Sequence, residues 1–201
     1  YVYMGGTSQA VALAAGAVAL LRQHLRTREG IRRPTAALLK AALIVGAVWL
    51  GERPTSGVLF DPGQGYGRLN LANLVAPAAP ATVRFADERR GLHENQKHRP
   101  IRVRVESGRV PLRVVLAYSD YFGAGLVNHL NLVVTRPDGR EYGGNQPLSD
   151  SRSRDDRNNV EVIEIPDPPP GTWTIRVEAG QVPCAPQRFA LAYRGHLANG
   201  A

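Results

Sequence analysis

Residues 77–82 read Pro-Ala-Ala-Pro-Ala-Thr, and the hydrophobic period of the chain changes across them. Two prolines among alanines make a stiff connector with no large side chain to seed a core. Upstream, apolar residues recur at helical spacing; downstream they alternate or gather in short β-branched runs. The expected organisation is an α/β-type helical segment over residues 1–78, followed by an all-β antiparallel sandwich of jelly-roll type over 79–201.

In the upstream segment, Val11, Ala14, Ala15, Val18, Leu21 and Leu25 share one helical face, and Arg22, Gln23, Arg26 and Arg28 supply a polar end. The spacing predicts a helix from Ser8 to Thr27. A second helix is expected after Arg33, with Pro34 in its first turn, running to Trp49-Leu50 and stopped by Gly51. The glycine-rich turn Asp61-Pro62-Gly63-Gln64-Gly65-Tyr66-Gly67 then leads into a short helix from Leu69 to Val75. Helices so rich in Ala, Gly, Leu and Val are apolar all round, which suits packing on a sheet. The residues around them encode no such sheet, so it is expected to lie outside this sequence.

Downstream, strands are expected at Thr82–Ala86, Ile101–Glu106, Leu112–Tyr118, His129–Thr135, Val160–Ile165, Trp173–Glu178 and Phe189–Arg194. Turn chemistry separates them, as in Ser107-Gly108, Arg136-Pro137-Asp138-Gly139 and Pro168-Pro169-Pro170-Gly171. Many short strands with no helical stretch argue for two packed antiparallel sheets.

Composition bounds the function. At 201 residues with 43% hydrophobic and 21% charged residues the chain has ordinary globular content. The net charge is +8, and all but two of the 25 basic residues are arginines, the exceptions being Lys40 and Lys97. These arginines are scattered along the sequence without a nucleic-acid-binding motif, so no nucleic-acid partner is expected. Cys184 is the single cysteine, which excludes an intrachain disulfide and suits a structural thiol. The longest apolar run, Ala10 to Leu21, is too short for a bilayer and has no basic stretch before it, so neither a membrane anchor nor a signal peptide is expected.

The chemically suggestive feature is Gly5-Gly6-Thr7-Ser8 at a helix entry. Glycines allow a sharp turn and close approach of a substrate, and the first amides of a helix are unpaired donors. A serine there has an accessible hydroxyl, and its own N–H points where an oxyanion would form. The same pattern also describes a serine N-cap.

The wider context of Met4-Gly5-Gly6-Thr7-Ser8-Gln9-Ala10, followed by Ala15-Gly16 and Ala19-Leu20-Leu21, resembles the nucleophile segment of the subtilisin-like serine proteases, the subtilases. The stretches "LLKAALIVGA" (38–47) and "GQGYGRLNL" (63–71) are similar to the next helix and the closing segment of that catalytic domain. Further on, "LVNHLNLVVTRPDGREYGGN" and "RDDRNNVEVIEI" look like the β-domain of oxidatively stable alkaline subtilases, itself similar to the P-domain of kexin-like proteases.

The resemblance implies that Ser8 is the catalytic nucleophile and its N–H an oxyanion donor, with the family's His, Asp and oxyanion Asn upstream of Tyr1. It implies serine endopeptidase activity on a protein or peptide substrate, an obligatory partnership with the missing N-terminal part of the catalytic domain, and export from the cell. A fragment without its base is expected to be inactive alone. The alternative is a non-catalytic β-sandwich that binds or stabilises, carrying a remnant of a protease domain. None of His24, His93, His98, His129 or His196 is placed to serve Ser8; His24 lies about 24 Å along the helix.

The chain also departs from the family's pattern. Gln9 replaces the usual oxidisable methionine and Ala12 the usual proline, and neither change removes a catalytic atom. Related β-domains bind calcium, which makes Asp120, Asn128, Asn145 and Asp155 candidate ligands, but these types also dominate ordinary turns. His129 and Asn131 stand where similar sequences carry aspartates, which weakens the calcium inference.

Overall fold

The computed structural model describes residues 5–52, 60–150 and 153–198. Eight strands form in the downstream part: β1 (Thr82–Leu92), β2 (Ile101–Val105), β3 (Leu112–Ala117), β4 (Leu130–Thr135), β5 (Glu141–Gly143), β6 (Val160–Ile165), β7 (Gly171–Ala179) and β8 (Gln187–Gly195). They make two four-stranded antiparallel sheets, ordered β1-β8-β3-β6 and β2-β7-β4-β5, packed as a β-sandwich. Seven strands fall on the stretches read from the alternation. The additional one, β5, has three residues and follows the turn closed by Gly139 N–H donating to Arg136 O at 2.9 Å.

Alternation decides what each strand buries. Val114 and Leu116 of β3, Leu130 and Leu132 of β4, Ile175 of β7 and Leu191 of β8 point between the sheets, around a fully buried Trp173. The Trp173 indole is stacked near Tyr142, with ring centroids 6.4 Å apart, and its N–H donates to Pro169 O at 3.0 Å, so its polar edge is satisfied.

The opposite face of the β1-β8-β3-β6 sheet is equally dry. Val115, Ala117, Val160, Val162, Ala190 and Ala192 cluster there with helical residues, chiefly Leu38, Ala41, Ala42 and Val45. These last belong to α2 (Ala36–Gly46), and consecutive outward alanines on β8 let that helix lie close. The sheet for the helices was expected outside this sequence; for α2 it is the antiparallel sheet of the chain's own second half. Cover on both faces also explains why β3 and β6 are buried at every residue.

Polar contacts fix α2 at both ends. Thr35 caps it, its Oγ1 accepting from Leu38 N at 3.1 Å. The same threonine donates through N and Oγ1 to the Asp87 carboxylate on β1, at 3.1 and 2.6 Å. Pro34 therefore precedes the cap instead of occupying the first turn.

The helix ends at Gly46, short of the expected Trp49-Leu50, because other groups capture its last carbonyls. Buried Arg113 donates from Nη1 to Ile44 O and Ala47 O at 3.2 and 2.7 Å. Its Nε pairs at 2.5 Å with buried Glu164, its cross-strand neighbour. Val48 then exchanges two 2.8 Å backbone hydrogen bonds with Arg68. That approach requires Gly67, at φ 105°, where a Cβ would come within 2.5 Å of Val48 O. The third helix, α3 (Ala72–Val75), starts later than Leu69 because Asn70 Oδ1 accepts from Ala72 N at 3.0 Å and holds the preceding residues in a turn.

The first helix, α1 (Thr7–Thr27), matches its expected span but buries only Leu21 and Leu25. Val11 and Leu13 are 65% and 77% exposed. Among the described residues no helix is long and apolar enough to cross a membrane.

Candidate active site and polar sites

Ser8 is the second residue of α1, and the N-cap is Gly6, so the serine does not cap the helix. No side chain closes this end, and no acidic residue sits in the first turn. Gly6 has φ 145°, a conformation that an L side chain rarely adopts. The first intrahelical bond runs from Ala10 N to Gly6 O at 3.2 Å. The amides of Thr7, Ser8 and Gln9 thus precede the ladder, and the helix dipole adds positive potential where they point. The Ser8 side chain is exposed beside them. An exposed hydroxyl beside amides without a partner among the described residues has the groups to attack a carbonyl and hold the resulting oxyanion once a base takes its proton. Met4, the first residue of the motif, lies outside the described residues.

The base that such a serine needs is not among the histidines around it. His24 stands 3.4 Å from Glu29 at the far end of α1, and His98 stands 3.4 Å from Glu88. His129 Nε2 lies 2.7 Å from Asp155 O. His196 Nδ1 does meet a serine hydroxyl at 2.7 Å, but it belongs to Ser107, and among the described residues no carboxylate is within ion-pair distance of this imidazole. A hydroxyl–imidazole pair without an orienting acid is not a triad.

The four candidate calcium ligands come together as two pairs. Asp120 Oδ1 accepts from Asn128 N at 2.9 Å, and Asn145 Nδ2 donates to Asp155 Oδ2 at 2.5 Å. Their remaining bonds show what they do. Asp120 Oδ2 accepts from Val127 N, Asn128 Oδ1 from Cys184 N, and Asn145 Oδ1 from Val162 N. Asp155 Oδ1 accepts from Arg157 N and Asn158 N. Every side-chain oxygen of the four thus accepts at least one N–H, so these groups tie down their own loops. Among the described residues no three His, Cys, Asp or Glu side chains converge as metal ligands. Cys184 is partly buried, and both its backbone polar groups bond to Asn128.

The sequence reading missed the most perturbed acid. Glu161 is fully buried between the sheets, where its Oε2 accepts from Leu132 N at 2.7 Å and its Oε1 has no hydrogen-bond partner among the described residues. Burial pushes its carboxyl well above the ordinary range against the pull of the Leu132 N–H, and the Asp155 charge adds to the rise. Burial likewise raises the Tyr118 phenol, whose hydroxyl donates to Asn128 O at 3.1 Å. A signal was available in "VEVIEI", where glutamates sit inside a β-branched run of an expected strand.

No family model matches the chain. It is 26% identical, over 226 aligned positions, to the serine protease/ABC transporter B family protein tagA of Dictyostelium discoideum. That alignment covers 96% of this chain and 12% of the relative. The crystal structure of a serine protease of Aeromonas sobria is 17% identical, covering 96% of this chain and 44% of that one, with a TM-score of 0.28. The same protease in complex with the chaperone is 16% identical, covering 98% and 45%, with a TM-score of 0.30. Over most of its length, and at a distance, the chain is similar to serine proteases, and it spans a small part of the curated relative and under half of the solved chains.

Proposed function

We propose that this chain is the nucleophile-bearing C-terminal part of a subtilisin-like serine endopeptidase, with Ser8 as the nucleophile. The observation that carries this reading is Ser8 itself, exposed and uncapped in the first turn of α1 beside amides that precede the helical ladder. In the reaction, Ser8 Oγ attacks the scissile carbonyl of a protein or peptide substrate, and the Ser8 N–H donates to the oxyanion. A histidine outside these 201 residues accepts the hydroxyl proton, and an aspartate orients that histidine.

The exposed apolar half of α1 supports the same reading. Val11 and Leu13 are the kind of surface that the rest of a catalytic domain would cover, and that segment is the partner this chain needs. The strand orders β1-β8-β3-β6 and β2-β7-β4-β5 support a jelly-roll, P-domain-like role for the sandwich. Export from the cell follows from the family resemblance.

A second reading, a non-catalytic binding or stabilising module, is favoured by one observation: no histidine stands near Ser8 among the described residues. Replacing Ser8→Ala in the full-length gene product separates the two. The protease reading expects loss of kcat/KM on the order of 10⁴-fold or more, together with loss of fluorophosphonate labelling. Undiminished hydrolysis and labelling would overturn it. The 201-residue chain by itself is expected to show no labelling at Ser8.

A further inference from the structure

Four arginines that are scattered in the sequence share one cleft. Arg22 and Arg26 occupy successive turns of α1, and Arg32 and Arg33 lie on the connection between α1 and α2. Together with Gln23 and Thr27 they line an open cleft of about 840 Å³. All four arginines are exposed, and no carboxylate lines the cleft. Two acids close in the fold have other partners: Glu29 faces His24, while Asp87, which lines an adjoining depression with Arg32 and Arg33, is held by Thr35 and Arg89.

Helix-end electrostatics account for only part of this arrangement. A cation in the last turn of α1 complements the dipole, which explains Arg26. It does not explain Arg32 and Arg33, which stand outside any helix and set like charge against the α1 arginines. Such repulsion is relieved when an anion bridges the two walls. A second arginine group, Arg84, Arg102 and Arg104, differs on this point, because its cavity is about 200 Å³ and Arg104 pairs with Glu106 at 3.2 Å.

We propose that the cleft between the C-terminal half of α1 and the α1–α2 connection is a binding site for a multiply charged phosphate anion of the polyphosphate type. Guanidinium forks match phosphate oxygens in pairs, and a tetrahedral group can be gripped from two walls at once, unlike a planar carboxylate. Gln23 adds a neutral donor, Thr27 spends its hydroxyl on Gln23 O at 2.9 Å, and the lining has no aromatic ring on which a nucleic-acid base could stack. Arg22, the first arginine of the site, lies about 21 Å along α1 from Ser8, so the site is separate from the proposed nucleophile.

Calorimetric titration of the 201-residue chain with tripolyphosphate tests the site. The expected result is saturable binding at one site per chain. Arg26→Gln and Arg32→Gln each weaken it about tenfold or more, the loss of one charge-assisted fork. Arg26→Lys, which keeps the charge but not the fork, falls between. Arg109→Gln, an equal loss of charge at an exposed turn residue, leaves binding unchanged. All four substituted arginines are exposed, and circular dichroism checks that each variant is folded; Arg33→Gln replaces any that is not. Three outcomes would overturn the proposal: no saturable binding, an Arg109→Gln effect as large as that of Arg26→Gln, or citrate binding as tightly as tripolyphosphate.

Discussion

Helices α1 and α2 share an Ala- and Leu-rich apolar part and end in opposite surroundings. Eight of the eleven residues of α2 are buried, against two of the twenty-one in α1. Composition separates them only in part: both are built on Ala and Leu, while α1 adds polar residues at its two ends and α2 holds one, Lys40. What separates them is a floor: α2 has the alanine-lined face of β8 and β3 beneath it, and only the last turns of α1 reach the same cluster. An apolar helix is therefore a statement of need, and the partner that meets the need is set by distant parts of the chain.

The sharpest way to break the contrast is to release α2. Arg113→Ala removes the guanidinium that pairs with buried Glu164 and donates to the carbonyls of Ile44 and Ala47. It is expected to cost about 3–5 kcal/mol in denaturant unfolding. Replacing both members together, Arg113→Met with Glu164→Leu, is expected to cost far less, because no lone charge is left inside.

A smaller effect comes from raising the floor. Ala192→Leu forces extra volume under α2 and is expected to destabilise by about 1–3 kcal/mol, read as a lowered midpoint.

The sandwich interior inverts the problem of α1, burying a carboxyl where the helix exposes methyl groups. Because the folded Glu161 carboxyl is raised above its unfolded value, its contribution is fully present below the ordinary carboxyl range and is lost as pH rises through the folded value. Across that window stability falls by about 1.4 kcal/mol per pH unit. Glu161→Gln keeps an acceptor for Leu132 N–H and is expected to remove that slope, gaining stability at neutral pH and none at pH 3. Identical pH profiles for the two proteins would contradict the assignment.

The smallest effect belongs to α1. Leu13→Ser is expected to change the stability of the 201-residue chain by no more than about 0.5 kcal/mol. In the full-length protein the same substitution is expected to cost several times more, provided that the catalytic domain covers this helix. Equal costs in both settings would remove that support.

Much of this was legible locally. The 3.6-residue spacing gave α1 its full span, and alternation placed all strands except β5, whose three residues are too few to carry a period. The boundaries of α2 were misread because they depend on side chains far away in sequence: Asp87 fixes the Thr35 cap, and Arg113 collects the final carbonyls. The position of Ser8 at a helix entry was legible from its glycines and the spacing after it, since a helix entry is a local event. Its reading as a nucleophile came from the family resemblance. Glu161 was not singled out, because its burial depends on two sheets closing over β6. The arginine cleft escaped for the same reason: Arg22 and Arg33 become neighbours only after the chain turns back between the helices.

The alanine floor has a consequence for how the molecule can be divided. Residues 77–82 look like the natural place to cut, yet a sandwich expressed from residue 79 onward would carry Val115, Ala117, Ala190 and Ala192 on an open face with nothing above them. Such a product is a sheet with one wet side that was built to be dry. Self-association through that side, at concentrations where the 201-residue chain stays dispersed, is the cost of separating the strands from the helix that roofs them.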